Sequence, residues 1–216
     1  MYEAIVFDLD GTLLDTLDDL FDAVNVALKK NGLPLRTKEE VRSFVGNGIV
    51  KLMERASGSK ENVDKEKLVE DFKNYYGEHC KDKTKPYDGI LEALRSLRRM
   101  RVKTGVLSNK ADFAVKLLAK EYFDGLLDMA AGENEAAGIR KKPAPDALFT
   151  AMQSLGTDKT NTLYVGDSEV DIQTAKNAGI ACVLVTWGFK DRAFLLENGA
   201  EILIDEPKEL IKIAEE

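Results

Sequence analysis

Near the start of the chain, Ala4, Ile5, Val6 and Phe7 form a continuous apolar run that stops at Asp8, Asp10 and Gly11. Two of the four are β-branched and glycine breaks the pattern within a few residues, so the run predicts a buried strand over Ala4 to Leu9 rather than a helix. From Thr16 to about Lys83 the period changes. Leu17, Leu20, Phe21, Val24, Ala27 and Leu28 recur at i, i+3, i+4, i+7 spacing and predict an amphipathic helix, which Asn31-Gly32 ends. Thr37 with Glu40 three residues on predicts a capping box opening a second helix to about Phe44. Gly46-Asn47-Gly48 interrupts, Ile49 to Ala56 resumes the helical period, and Leu68, Phe72, Tyr75, Tyr76 and His79 mark a longer helix after the polar stretch Ser57 to Lys65. This segment predicts a small all-helical unit.

Beyond Pro86 strands and helices alternate. The pattern predicts helices over Ile90–Met100, Phe113–Tyr122, Pro145–Leu155, Val170–Ala178 and Phe194–Gly199, with a terminal helix after them. Between them it predicts strands over Lys103–Leu107, Leu127–Ala131, Thr162–Val165, Ala181–Val185 and Glu201–Ile204. Alternation of this kind implies βαβ units and a doubly wound parallel sheet covered on both faces, to which the first strand must also belong. The gap between that strand and the helix at Ile90 is far longer than a βα loop, so the helical segment reads as an insertion. The division expected is an α/β core from 1–15 and 84–216, with a helical cap domain at 16–83 placed where it can act as a lid.

Composition narrows the function classes. The chain has 216 residues, 44% hydrophobic and 32% charged, enough to bury a sizeable core. A net charge of −7 argues against nucleic acid or an anionic membrane as partner, and the short Arg98, Arg99, Arg101 cluster falls at a predicted helix end, where cations are structural. Two distant cysteines, Cys80 and Cys182, and one histidine, His79, disfavour a disulfide framework or a zinc site and fit a reducing cytoplasm. The N-terminus lacks the basic and apolar regions of a signal peptide, and no apolar span is long enough to cross a membrane.

Candidate chemistry sits at the predicted strand ends. Asp8 lies at the carboxyl end of the first strand, where open α/β sheets bind ligands, although Asp10-Gly11 could also be a hairpin turn. Ser108-Asn109-Lys110 falls where a strand is expected to give way to a helix N-terminus, which favours an anion but equally suits a serine N-cap. Lys142 precedes Pro143 in KKPAPD and reads either as a site cation or as a solvated loop charge. Val165-Gly166-Asp167-Ser168-Glu169-Val170-Asp171 ends a strand in two carboxylates four residues apart, which can face the same side if Asp171 lies on a first helical turn. Gly46-Asn47-Gly48 is either a loop dipping over the site or a turn between helices.

Taken in order, FDLDGT, VLSN, KKPAPD and VGDSEVD resemble the four motifs of the haloacid dehalogenase-like hydrolase superfamily over essentially the whole chain, and the insertion resembles its C1-type helical cap. FVGNGIVKLMERA and YYGEHC…PYDGI resemble phosphoglycolate phosphatases. The resemblance implies Asp8 as nucleophile, Asp10 as general acid and base, and Lys142 and Ser108 as groups holding the phosphate. It implies Mg²⁺ held by Asp8, the Asp10 carbonyl and Asp167, with Thr12 bracing the loop by hydrogen bonding and Asn109, Gly166 and Asp171 in support. Gly46, Asn47 and Gly48 are the specificity candidates. Asp10 favours phosphoryl chemistry, because the superfamily's dehalogenases lack it.

The function expected is a Mg²⁺-dependent phosphatase acting on a small phosphorylated metabolite, with 2-phosphoglycolate leading. The alternatives are a β-phosphoglucomutase-type mutase, another small-molecule phosphatase or pyrophosphatase, or a non-catalytic phosphate sensor or partner-binding protein.

Overall fold

The computed structural model describes residues 1–58 and 63–215, so part of the polar stretch between Ser57 and Lys65 lies outside the described residues. The chain opens with β1 (Ala4–Phe7) and the two-residue β2 (Leu14–Asp15). Four helices follow, α1 (Leu17–Lys30), α2 (Lys38–Phe44), α3 (Ile49–Ser57) and α4 (Lys65–His79), before β3 (Lys85–Pro86). The rest alternates: α5 (Ile90–Arg99), β4 (Lys103–Ala111), α6 (Asp112–Phe123), β5 (Met129–Glu133), α7 (Asp146–Leu155), β6 (Thr162–Gly166) and α8 (Glu169–Ala178). It closes with β7 (Ala181–Val185), α9 (Arg192–Glu197), β8 (Leu203–Ile204) and α10 (Glu209–Glu215).

Six strands form one parallel sheet in the order β5-β4-β1-β6-β7-β8. β1 lies at its centre, paired to β4 on one side and β6 on the other. Its four residues are wholly buried and alternate between faces, as strand geometry demands. Ile5 and Phe7 join a cluster that includes Leu94 and Leu97 of α5, Val115 and Leu118 of α6 and Leu210 of α10. Ala4 and Val6 join Leu148 and Leu155 of α7 and Ala175 of α8. Both faces are therefore covered, which explains why the strand reads as an unbroken apolar run. The sheet order reverses at β1, and this switch point puts Asp8 in the crevice beyond the strand ends.

Helices α1 to α4 are inserted in the chain between β2 and β3, two strands that pair antiparallel with Leu14 opposite Pro86. This small ribbon has no sequence signal, because two residues per strand show no periodicity. Thr37 and Glu40 make the expected capping box at α2. The apolar stripe of α1, with Val24 and Leu28, packs mainly on α4, and Leu52, Phe72 and Tyr76 belong to the same continuous cluster as Phe7 and Val165 of the sheet. The helical layer thus lies on the core through shared apolar contact.

A buried carboxylate ties the return of the chain to its exit. Asp19 on α1 is 2% exposed and accepts from the backbone N–H groups of Lys83 (3.0 and 3.1 Å) and Thr84 (2.9 Å), just before β3. Removing the acceptor leaves two N–H donors unpaired in a largely buried setting, a loss of about 1–3 kcal/mol. Asp19→Ala is therefore expected to lower stability by about 2 kcal/mol in urea unfolding, whereas Asp18→Ala, whose partner Lys38 is half exposed, changes it by less than about 1 kcal/mol.

Candidate active site

Asp8 follows directly on β1. Its N–H donates to Val165 O at 2.8 Å, continuing the parallel ladder one residue beyond the strand. The turn after it needs Gly11, whose φ is +83° and whose missing Cβ would strike the Asp167 carboxylate. Gly166, the last residue of β6, is needed for proximity: a Cβ there would occupy the place of the Asp171 carboxylate. These two glycines let three carboxylates converge. One oxygen each from Asp8, Asp167 and Asp171 lies within 4.8 Å of the others.

Lys142 enters this acidic cluster from the loop before α7. Its Nζ lies 3.0 Å from Asp8 Oδ1 and 2.8 Å from Asp171 Oδ1, and it donates to Tyr164 Oη at 3.1 Å. The side chain is 2% exposed, so the solvated-loop alternative does not hold. Asp171, on the first turn of α8, spends its other oxygen on the N–H groups of Asp167 and Ser168 (3.2 Å each) and on Ser168 Oγ (2.6 Å). Both Asp171 oxygens are thereby engaged in holding Lys142 and the β6–α8 turn. The hydrogen bonds made by Asp8 and Asp167 use Oδ1 and Oδ2 respectively, leaving the second oxygen of each outside that set.

Electrostatics follow from this crowding. Burial raises the Asp8 carboxyl to about 7; the Lys142 ammonium opposes this, and Asp171 and Asp10 add to it. Burial and the charges of Asp171 and Asp8 hold Asp167 well above the usual carboxylate range. Burial disfavours the Lys142 ammonium, but Asp171 and Asp8 outweigh it and keep its pKa above the ordinary lysine value. Three carboxylates around one ammonium leave an excess of negative charge in an all-oxygen donor set, which suits a hard divalent cation.

Asp10 stands apart from that cluster. Its Oδ1 accepts from Thr16 Oγ1 at 2.7 Å, and Lys110 Nζ reaches Oδ1 at 2.9 Å and Oδ2 at 3.2 Å. Two expectations are corrected here. Thr12 does not brace the loop through its hydroxyl: Thr12 Oγ1 is buried with no hydrogen-bond partner, and Thr16 supplies the hydroxyl instead. Ser108 does not stand at a helix N-terminus, because β4 continues to Ala111 through a register shift after Leu107, and α6 begins only at Asp112. The irregularity carries Ser108, Asn109 and Lys110 to the site as consecutive buried residues, each at most 6% exposed.

Asn109 links three segments. Its Oδ1 accepts from Lys142 N (2.8 Å), while its Nδ2 donates to Lys142 O (3.0 Å) and to Gly46 O (3.1 Å). The glycine loop therefore reaches the site through its backbone, and Gly46 and Gly48 line the cleft. Asn47 is directed elsewhere: Arg55 Nη2 donates to its Oδ1 at 2.6 Å, and the cleft is lined on either side of it by Gly46 and Gly48. Arg42 of α2 donates to Phe189 O (2.7 Å) and Gly188 O (2.9 Å), and Phe189 N donates to Asp167 Oδ2 at 2.7 Å, so the helical layer is also pinned to the loop behind Asp167.

Sequence reasoning missed Lys110, Tyr76, Tyr164 and Arg42. Tyr164 carried one usable signal, since a tyrosine inside a buried strand needs a partner for its hydroxyl. Lys110 and Tyr76 lie 34 positions apart and meet only through packing of α4 over β4. His79, by contrast, is held by Asp82 and stacked on Tyr75, away from the cleft. Between sheet and helices is a cavity of about 50 Å³, lined below by Asp8, Asp10, Ser108 and Asp167 and above by Leu20, Ile49, Leu52 and Phe72.

Residues 5–185 match the model of the family described as haloacid dehalogenase-like hydrolase. A phosphoglycolate phosphatase of Pseudomonas syringae is 34% identical over 96% of this chain and 78% of its own. An N-acetylmuramic acid 6-phosphate phosphatase of Pseudomonas aeruginosa is 31% identical over 98% of this chain and 94% of its own. The solved structure of a provisionally named phosphoglycolate phosphatase from Lactobacillus delbrueckii subsp. bulgaricus superimposes with a TM-score of 0.92 at 36% identity, covering 99% of this chain and 98% of that one. With the parallel sheet, the switch-point aspartates and a family match over most of its length, the chain belongs to the haloacid dehalogenase-like hydrolases.

Proposed function

We propose that the protein is a Mg²⁺-dependent phosphatase of a small phosphorylated acid, 2-phosphoglycolate in the first place, working through an aspartyl phosphate on Asp8. One observation carries this reading: Asp8 lies on the Lys142 ammonium at a buried switch point, with a second aspartate, Asp10, on separate partners two residues away. In this reading residues 16–83 form the cap domain and 1–15 with 84–216 the core.

Asp8 Oδ attacks phosphorus, forming the Asp8–phosphorus bond as the bond to the leaving oxygen breaks. A proton passes from Asp10 to that oxygen, and Asp10 then takes a proton from the water that hydrolyses the acyl phosphate. Lys142 balances charge on Asp8 and on the transferring oxygens, and Ser108 donates its hydroxyl to them. Asp171 keeps Lys142 in place. Asp8, the Asp10 carbonyl and Asp167 would hold Mg²⁺, which supplies the positive charge that lets a carboxylate approach a phosphate dianion.

Apolar side chains of Leu20, Ile49, Leu52 and Phe72 line the cleft together with the carboxylates, a lining that favours a short phosphorylated acid over a larger, more polar sugar phosphate. The similar identity to an N-acetylmuramic acid 6-phosphate phosphatase makes that substrate the second reading. A phosphate-release panel with phosphoglycolate, N-acetylmuramic acid 6-phosphate, glucose phosphates and pyrophosphate is expected to give the highest kcat/KM for phosphoglycolate. Release from a sugar phosphate at a higher kcat/KM would replace the substrate, and phosphate transfer to a second hydroxyl without release would make the enzyme a mutase.

Asp8→Asn is expected to lower kcat by at least about 10⁴-fold while the circular dichroism spectrum stays that of the wild type. Wild-type-like turnover in this variant overturns covalent catalysis.

Metal dependence has a thermal signature. Asp8 is raised from 3.8 to about 7 in the folded metal-free chain, so the folded state binds more protons than the unfolded state between those values. Its contribution to stability is therefore present at low pH and lost as pH rises to about 7, and the raised Asp167 acts in the same direction. Mg²⁺ should accordingly raise Tm by several degrees at about pH 8 and much less at about pH 5, with chelation reversing the gain and abolishing phosphate release. An equal shift at both pH values argues against binding at this cluster.

A further inference from the structure

Among the groups that the reaction above leaves unused, one buried cation stands out. The Lys110 side chain is 4% exposed, and its Nζ sits between β4 and α4. On the sheet side it holds both oxygens of Asp10, at 2.9 and 3.2 Å. On the helical side it donates to Tyr76 Oη at 2.6 Å and lies 4.6 Å from the centre of the same ring. Tyr76 is 2% exposed and its ring stacks on Phe72 at 5.3 Å, so its hydroxyl is fixed by the packing of α4 and not by solvent.

The charges explain why this contact matters. Burial disfavours the Lys110 ammonium, yet Asp10 and Tyr76 outweigh it and hold its pKa above the ordinary lysine value, so the side chain is a cation whose position both partners decide. A lysine on a four-carbon stem has large rotational freedom, and one carboxylate alone would not define where its ammonium stays. Tyr76 supplies the second fixed point. Thr16 Oγ1, itself fully buried, supplies a further contact to Asp10 Oδ1 at 2.7 Å. Asp10 is therefore held by Thr16, the residue that opens α1, and by Lys110 of β4, which Tyr76 of α4 fixes in turn.

The geometry points to Lys110 as the positioning residue for Asp10, keyed to the helical layer by Tyr76, so that the proton carrier is aligned with the leaving oxygen when α4 is packed over β4. The inference rests on the phosphatase reading. Its chemical consequence is selective. When an alkyl phosphate reacts, the bond between phosphorus and the ester oxygen breaks and that oxygen needs the Asp10 proton. When acetyl phosphate reacts, the same kind of bond breaks but acetate departs as a stable anion and takes no proton. Loss of Asp10 alignment must therefore slow phosphoryl transfer to Asp8 from the first substrate and spare transfer from the second, while hydrolysis of the aspartyl phosphate, common to both, slows equally.

The test compares phosphoglycolate with acetyl phosphate, a substrate of similar size, in full-length Tyr76→Phe, Lys110→Met and the double variant. Tyr76→Phe keeps the ring and its stack on Phe72, so it remains informative if Lys110→Met does not fold. The expected result is a fall in the single-turnover rate of phosphoryl transfer from phosphoglycolate to Asp8 of about tenfold for Tyr76→Phe and about 10²-fold for Lys110→Met, with KM changed less than about threefold. From acetyl phosphate that transfer rate should stay within about threefold of wild type. The double variant should be no slower than Lys110→Met, because Tyr76 acts through the lysine. Equal losses of the transfer rate on the two substrates, a change confined to KM, or no loss at all overturns the positioning role. An inactive wild-type chain refutes the phosphatase reading itself, whereas an active wild type with equal losses refutes only the role of Lys110.

Discussion

The structure turns on one shared ammonium. Lys142 Nζ lies within 3.0 Å of carboxylate oxygens from Asp8 at the end of β1 and Asp171 on α8, and donates to Tyr164 Oη of β6. A lone charge in this position would carry a desolvation penalty of several kcal/mol, and each carboxylate without the lysine would face the same penalty. The groups are therefore tolerated only together. That mutual dependence aligns the carboxyl ends of β1 and β6 and the first turn of α8 and orders the loop before α7, which Asn109 clamps from both sides of the Lys142 backbone.

The arrangement remains electrostatically unbalanced. Burial of three carboxylates around a single cation raises Asp8 and Asp167 well above their ordinary range. Crowding of this kind gives up stability, a common compromise where chemistry is done. The glycines record the same pressure, since side chains at Gly11 or Gly166 would displace the carboxylates.

The helical layer contributes by a different route. It shares the continuous apolar cluster of the sheet and touches the site through a few polar contacts: Arg42 on the Gly188 and Phe189 carbonyls, Gly46 on Asn109, and Tyr76 on Lys110. Apolar contact between two layers is tolerant of small displacements, whereas these hydrogen bonds specify one relative position. Leu20, Ile49, Leu52 and Phe72 give the cleft an apolar side opposite the carboxylates.

Much of this was legible in the chain before any coordinates. Continuous β-branched runs ending in Asp8 and in Gly166-Asp167 predict buried strands with carboxylates at their ends, and β7 spans Ala181–Val185 as its apolar run indicates. Periodicity distinguished the helical segment from the alternating one because strand and helix periods differ along the chain itself. Side-chain direction and partner choice were not legible. The run at Lys103 does not reveal that β4 continues through an irregularity to Ala111, nor that Thr16 and not Thr12 bonds Asp10, nor that Asn47 turns to Arg55. The pairing of Lys110 with Tyr76 depends on how α4 packs over β4, and no local pattern encodes a contact between residues 34 positions apart. Sequence alone determined which residue types stand at the strand ends, since burial and backbone period act locally; tertiary packing decided which of them share a charge, because that depends on distances set by the whole fold.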